Sequence, residues 1–497
     1  VEKLTSRLIA IALTSLSAFA APPLNPPEPR PNVILMMADD LGWGCVGFNG
    51  GQVIKTPHLD RMAAEGVKFN RFYAAAPVCS PTRASCLTGR HPYRTGVFNA
   101  NVGILRPEEL TLAEILKEQG YATGHFGKWH LGTLSATEAD ANRGGSQHPE
   151  LCNPPSGHGF DTYFSTESKV PTWDPMKKPL QFDGGASLGF GWKCIAPEQP
   201  SAPYGTHYWS PGGKVTENLE GDDSRVIMDR ALPFIENAAA QQKPFFAVIW
   251  FHAPHLPCVA GPKYAEMYKD QDFKMQQYAG CITAMDEQVG RLRDRLKELG
   301  LHNNTILCFT SDNGPESGTP GATGGFKGRK RTLHDGGIRV PGLLEWPQRV
   351  SHPMVIETPC VTSDYLPTVV EALAIRLPEN ANRLDGVSLL PLLEGRPLNR
   401  PAPIGFVSGN QMVFNDIQYK LYLQGSFTEL YDMLKDPYEQ SNIASLHPES
   451  VATLRQGFEQ WYRSCQESFE GKEYGTRSLE RVPQSWPEDG ANKRGRK

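Results

Sequence analysis

The 497-residue chain has no surplus of either charge, with 50 basic against 54 acidic residues and a formal net charge of −4. Bulk electrostatics therefore points neither to nucleic acid nor to an anionic membrane, and any preference for anions has to be local. None of the ten cysteines stands in a Cys-x-x-Cys spacing, which argues against a zinc site, and their scatter is unlike a disulfide scaffold. No apolar run reaches the roughly 20 residues that a helical membrane span needs. No internal repeat is evident. What remains is an ordinary globular composition, long enough for one large domain and a smaller one, each with its own core.

At the N-terminus Lys3 and Arg7 precede Leu8-Ile9-Ala10-Ile11-Ala12-Leu13, and Ala18-Phe19-Ala20 follows. This is the three-part layout of a secretory signal over residues 1–20, with cleavage expected after Ala20. The initial valine is expected to reflect a bacterial GTG start, so the protein is read as exported by a bacterium, periplasmic or secreted, without stable membrane insertion. A retained N-terminal anchor is the alternative. Export permits disulfides, and Cys152 with Cys194 is the expected pair, whereas Cys308 lies in an apolar run and is expected as a free core thiol.

After a proline-rich linker over residues 21–31, the run Asn32-Val33-Ile34-Leu35-Met36-Met37 has the unbroken apolar character of a buried strand, as do residues 245–250 and 306–310. Thr56-Pro57 starts a helix, and Thr111 with Glu114 forms a capping box for another that stops at Gly120. Met275, Tyr278, Ile282, Met285, Val289, Leu292, Leu296 and Leu299 trace one long amphipathic helix ending at Gly300. Buried strands separated by helices predict an α/β sandwich with a mostly parallel central sheet over residues 32–395. Residues 396–471 change to short alternating segments and one helix bearing Val451, Leu454, Phe458 and Trp461, a small C-terminal subdomain with a short antiparallel sheet. The tail at 472–497 is expected to be mobile.

Functional side chains in open α/β sheets gather at the carboxyl ends of strands. The first strand runs into Asp39-Asp40, and adjacent carboxylates repel unless a cation or a basic group separates them. The strand at 306–310 runs into Ser311-Asp312-Asn313. Four hard oxygen donors, Asp39, Asp40, Asp312 and Asn313, suit Ca²⁺ or Mg²⁺.

The segment Cys79-Ser80-Pro81-Thr82-Arg83 places a cysteine before an expected helix start and an arginine one turn inside it. Ser80 is expected to cap that helix, whose free amides favour negative charge. Cys-x-Pro-x-Arg followed by Thr88-Gly89 resembles the signature of the type I, formylglycine-dependent sulfatases of the alkaline phosphatase superfamily, in their arylsulfatase and N-acetylgalactosamine-6-sulfatase branch. Cys86 departs from the aliphatic residue usual there. Gly127-Lys128-Trp129-His130-Leu131-Gly132 matches the family hexapeptide throughout, and His255 precedes Leu256-Pro257 as the family's active-site histidine does. Lys330 lies in a segment similar to the one that supplies the second lysine, with Arg331 and Asp335 replacing the usual glycine and glutamate and with Lys327 and Arg329 as neighbouring cations.

The resemblance implies that Cys79 is converted to formylglycine by a formylglycine-generating or anaerobic sulfatase-maturing enzyme. It implies one calcium ion, preferred over magnesium, held by Asp39, Asp40, Asp312, Asn313 and residue 79. Arg83 would hold the aldehyde hydrate, Lys128 and Lys330 the sulfate oxygens, His255 would act as acid toward the leaving alcohol, and His130 would help expel sulfate. The implied reaction is hydrolysis of a sulfate monoester, with sulfated carbohydrate the favoured substrate. A phosphodiesterase or phosphonate monoester hydrolase, a thiolate-dependent hydrolase and an inactive sulfated-glycan-binding protein are the rivals. Substrate choice is expected in residues 135–222, where Trp173, Trp192 and Trp209 either stack on sugars or pin the loops.

Overall fold

The computed structural model describes residues 30–180 except 142, residues 201–475, and residues 486–487. The expected signal segment, Trp192, Cys194 and most of the expected tail lie outside the described residues.

The apolar runs form a sheet whose five central strands are parallel. We label them β1 (Asn32–Ala38), β2 (Ala122–Lys128), β3 (Thr162–Thr166), β4 (Phe245–Trp250) and β5 (Thr305–Ser311), and their spatial order is β5-β1-β4-β2-β3. Among the described residues short strands extend this sheet to ten, with the antiparallel pairs toward its margins. Every residue of β1, β4 and β5 is buried. Alternate residues feed opposite cores: Val33, Leu35 and Met37 face one with Phe246 and Val248, while Ile34 and Met36 face the other with Ala247 and Ile249. A strand covered on both faces has no room for polar alternation, which is why these runs read as continuously apolar.

Helices α1 (Pro57–Glu65), α2 (Cys79–Thr88), α3 (Leu112–Glu118), α4 (Asp223–Ala240) and α5 (Phe273–Glu298) cover the sheet. The capping box of α3 is present, with the Thr111 hydroxyl accepting from the Glu114 amide and the Glu114 carboxylate accepting from the Thr111 amide. On α5, seven of the eight residues singled out by their spacing fall within the helix, and Leu299 is its C-cap.

Strands β6 (Ile404–Ser408), β7 (Gln411–Asn415), β8 (Tyr419–Gln424) and β9 (Phe427–Asp432) form a separate antiparallel sheet, packed by α6 (Pro448–Phe469). This sheet shares a core with Tyr73, Leu333, Ile338 and Val361 of the larger part. Tyr474 is buried with its hydroxyl donating to Glu109, and Trp486 packs against Phe98 and Tyr462, so these residues of the expected mobile tail are docked on the body. Cys152 forms no disulfide with a described cysteine, and Cys308 is a buried free thiol. No helix among the described residues is long and apolar enough to cross a membrane.

Candidate active site

The carboxyl ends of β1 and β5 lie side by side because Ala38 pairs with Ser311, which puts Asp39 and Asp40 against Asp312 and Asn313. The junction is locked by the backbone: the Asp312 amide donates to the Ala38 carbonyl and the Asp40 amide to Asp312 Oδ1 at 3.1 Å. Asp40 adopts a left-handed conformation (φ 66°), a strain of about 1–3 kcal/mol that surrounding contacts must hold in place.

Three cations enter this acidic floor from three different elements. Arg83, on α2, places Nη2 at 2.6 Å from Asp312 Oδ2 and 3.5 Å from Asp39 Oδ2, while its Nη1 donates to the Lys128 carbonyl. Its guanidinium lies over the Trp250 ring at the end of β4. Lys128, the last residue of β2, contacts Asp39 Oδ2 at 2.6 Å. Lys330 spans Asp40 Oδ1 and Oδ2 at 2.6 and 2.7 Å, and the Arg331 amide ties the Lys330 loop to the Pro77 carbonyl two residues before Cys79. All of these side chains are buried.

Cys79 is the first residue of α2 rather than the residue before it, which corrects the expected cap. Val78, in extended conformation, occupies the N-cap and offers no side-chain acceptor, and the Ser80 hydroxyl is buried without a hydrogen-bond partner among the described residues. Thr82 does the anchoring instead, donating to the Ala76 and Val78 carbonyls. Because the helix begins at Cys79 and Pro81 has no N–H, the amides of Cys79 and Ser80 lack intrahelical acceptors. Burial raises the Cys79 thiol above its ordinary value, against the opposing pull of Lys128 and Lys330.

Burial also works against charge on Asp39, yet Lys128, His255, Arg83 and Lys330 together hold its carboxyl well below the usual range. Asp312 moves the other way, to about 7, pushed by burial and by the Asp39 charge. A carboxylate pair forced apart in this way is what a cation would relieve. Ligand atoms of Asp39, Asp40 and His255 lie within 4.8 Å of one another, as do those of Asp39, Cys79 and Asp312. Asp39 Oδ1 and Asn313 Oδ1 are buried without a hydrogen-bond partner among the described residues, although Asn313 Nδ2 is spent on Asp40 Oδ1 and the Gly314 carbonyl. Buried oxygens are rarely left open, and two of them on hard donors fit a divalent cation.

Two histidines complete the set. His255 brings Nε2 to 3.7 Å from Asp40 Oδ2 while Nδ1 meets the Leu256 carbonyl at 2.6 Å, and burial lowers its pKa to about 3 against the pull of Asp40 and Asp39. His130, two residues beyond Lys128, is buried with Nε2 at 2.8 Å from Asn101 Oδ1. His252 is a structural neighbour, buried between Thr166 and Asp223. The structure thus gathers Asp39, Asp40, Asp312, Asn313, Arg83, Lys128 and Lys330 into one buried cluster that reaches Cys79 through Asp39 and Asp312, with His255 against Asp40.

A model of the Sulfatase family matches residues 31–375. The chain belongs to the sulfatase family. Rat (Rattus norvegicus) steryl-sulfatase is 31% identical over 446 residues, covering 78% of this chain and 74% of the relative. Mouse (Mus musculus) N-acetylgalactosamine-6-sulfatase is 31% identical over 437 residues, covering 84% and 75%. Among solved structures, Ps i-CgsB in complex with k-i-k-neocarrahexaose superimposes with a TM-score of 0.74 at 26% identity, covering 90% of this chain and 94% of that one. This sulfatase is accordingly a sulfuric ester hydrolase.

Three polar features beside these residues, a lysine, an ion pair and an amide, escaped the sequence reading. Lys169 lies three residues past Thr166, the register partner of Lys128, and its pKa is lowered to about 8 by burial and by Lys128 and Lys330. Arg143 and Glu167 form a 2.9 Å ion pair, and Arg143 acts electrostatically on His130. Asn101 is the third. The strand-end rule that found Asp39 and Asp312 would have found Lys169 had residues 162–166 been recognised as a strand. The two described loop tryptophans pin rather than project: Trp209 donates Nε1 to Asp140, and the Trp173 ring lies flush on Gly261, where a Cβ would come within 2.0 Å of it.

Proposed function

We propose that this sulfatase hydrolyses sulfate esters of carbohydrates outside the cytoplasm, using a formylglycine made from Cys79 by a maturation enzyme and one bound calcium ion. The supporting observation is the pair of open oxygens, Asp39 Oδ1 and Asn313 Oδ1, in a buried cluster whose other carboxylate oxygens are taken by Arg83, Lys128, Lys330 and the Asp40 amide. Asp39, Asp40, Asp312 and Asn313 would hold the calcium ion, which supplies positive charge to the sulfuryl oxygens. The formylglycine hydrate supplies a second hydroxyl and the attacking oxygen, whose proton passes to the Asp312 carboxylate as the oxygen bonds to sulfur and the bond from sulfur to the alcohol oxygen breaks.

Lys128 and Lys330 carry the positive charge that developing negative charge on the sulfuryl group requires, in a site that excludes bulk water. Arg83, fixed by Asp312 and the Lys128 carbonyl, orients residue 79. His255 delivers a proton to the departing alcohol oxygen. Since burial keeps its ring neutral in the resting site, the negative charge of the arriving ester is what favours the protonated form. His130 takes the proton of the second hydroxyl at residue 79. As that O–H bond breaks, its electron pair forms the C=O bond of the aldehyde, and the carbon–oxygen bond to sulfate breaks with its pair leaving on sulfate.

A carbohydrate substrate draws support from the neocarrahexaose complex of Ps i-CgsB and from the N-acetylgalactosamine-6-sulfatase likeness. The raised thiol pKa of Cys79 counts against a thiolate nucleophile. The test is a parallel assay of purified, matured protein on an aryl sulfate, a panel of sulfated oligosaccharides, and phosphate mono- and diesters. Sulfate release from at least one sulfated oligosaccharide, exceeding any phosphate release by a factor of about 100 or more, is expected. Preferential phosphodiester cleavage, or glycan binding without turnover, would overturn the proposal.

A further inference from the structure

His130 and Asn101 both hold left-handed backbone, φ 58° and φ 60°. For Asn101 the conformation is natural: it is the third residue of a turn closed by the Val102 amide on the Asn99 carbonyl, and asparagine tolerates positive φ better than most residues. For His130 it is strained, and neighbours enforce it. The Trp129 amide is held by the Thr166 carbonyl, and the Leu131 carbonyl accepts from both the Leu105 amide and Asn153 Nδ2. The ring places Nε2 at 2.8 Å from Asn101 Oδ1, and Nδ1 is buried without a partner among the described residues.

A neutral imidazole carries one N–H, and the partner of one nitrogen decides the role of the other. His130 is held neutral by burial and by Lys128, Arg143 and Arg83. The fold contains a second copy of the arrangement. His158 Nε2 meets Asn153 Oδ1 at 2.9 Å, and since Asn153 Nδ2 donates to two carbonyls, its oxygen must accept there.

We propose that Asn101 is a positioning residue for His130: its side-chain oxygen takes the Nε2 proton, leaving Nδ1 as the acceptor for the hydroxyl proton of residue 79. This rests on the function proposed above. An amide on an exposed loop would in that case set the tautomer of a buried base, and so the rate of sulfate release rather than of ester cleavage.

The test uses Asn101→Gly, which keeps the left-handed turn but removes the amide, and Asn101→Asp, which keeps an acceptor oxygen. Nitrogen-15 NMR of histidine-labelled protein, with His130 assigned from the signal lost in His130→Gln, reads the tautomer whether or not Cys79 is converted. We expect wild type and Asn101→Asp to be protonated at Nε2, and Asn101→Gly to show a mixture. In steady-state kinetics Asn101→Gly should lower kcat about tenfold or more with KM falling in parallel, because only the second half of the cycle slows. A wild-type ring protonated at Nδ1 would overturn the assignment, as would an Asn101→Gly variant with unchanged kcat or with kcat/KM lost at constant KM. Wild-type protein that releases no sulfate would instead refute the proposed function, with the NMR result still deciding the role of Asn101.

Discussion

Two buried ionic clusters in this sulfatase look alike in composition and differ in one respect. Around Lys420, at the base of the C-terminal sheet, Asp335 Oδ1 lies at 2.8 Å and Glu439 Oε1 at 2.9 Å. The remaining carboxylate oxygens are used as well, Asp335 Oδ2 by the Tyr73 hydroxyl and Arg339, and Glu439 Oε2 by the Asp335 amide. Around Cys79 the carboxylates are equally buried and the cations equally close, yet Asp39 Oδ1 and Asn313 Oδ1 stay open. The first cluster is closed and joins two sheets. The second is incomplete by itself, and burial makes that incompleteness costly unless something arrives to complete it. Charge and burial alone therefore do not separate architecture from function; the accounting of individual oxygens does.

The sharpest way to break the comparison is at Cys79, the proposed nucleophile. Cys79→Ala should reduce sulfate release below detection while shifting the melting temperature little, since the side chain is small and forms no ion pair with the floor among the described residues. Sulfate release by that variant at even a hundredth of the wild-type rate would place the nucleophile elsewhere.

Next come the two clusters themselves. Asp312→Ala should lose bound metal and turnover together, as measured by metal analysis beside an aryl sulfate assay. Lys420→Met should do the reverse, retaining metal below its melting temperature while losing about 3–5 kcal/mol of stability, because Asp335 and Glu439 are left buried without their shared cation. If Lys420→Met abolished metal binding in folded protein, or Asp312→Ala left metal content unchanged, the division between the clusters would fail.

The smallest effect concerns a buried histidine outside both clusters. Burial lowers the pKa of His158 to about 4. Between about pH 4 and the unfolded value near 6.5 the unfolded chain binds a proton that the folded chain refuses, so this contribution is complete above 6.5 and is lost as the pH falls through that window, up to about 3 kcal/mol. His158→Gln should therefore lose less melting temperature than wild type between pH 7 and pH 4.5. Equal losses would show that His158 does not carry the acid sensitivity.

Most of the candidate site was legible because its residues are tied to strand ends and short motifs. Asp39-Asp40 and Asp312-Asn313 each terminate an apolar run, and Lys128 with His130 sits in a contiguous hexapeptide. What the sequence hid is either local geometry or distant pairing. Ser80 has the chemistry of a cap, but α2 begins one residue earlier and Thr82 turns back to hold the loop. Asn101 looks like any turn asparagine until the fold carries it to a ring 29 positions away. The closed cluster was invisible for the same reason, since Lys420 and Asp335 are 85 residues apart. The parallel centre of the sheet followed from its apolar runs, whereas its antiparallel margins are made of two- and three-residue strands too short to carry a pattern.

The most direct test of the account is peptide mass spectrometry of residues 72–83 from protein isolated in its native host, alongside a sulfate-release assay of the same sample. The account predicts residue 79 as the aldehyde or its hydrate in protein that releases sulfate. Residue 79 found only as an unmodified thiol in protein with full sulfate-releasing activity would contradict it.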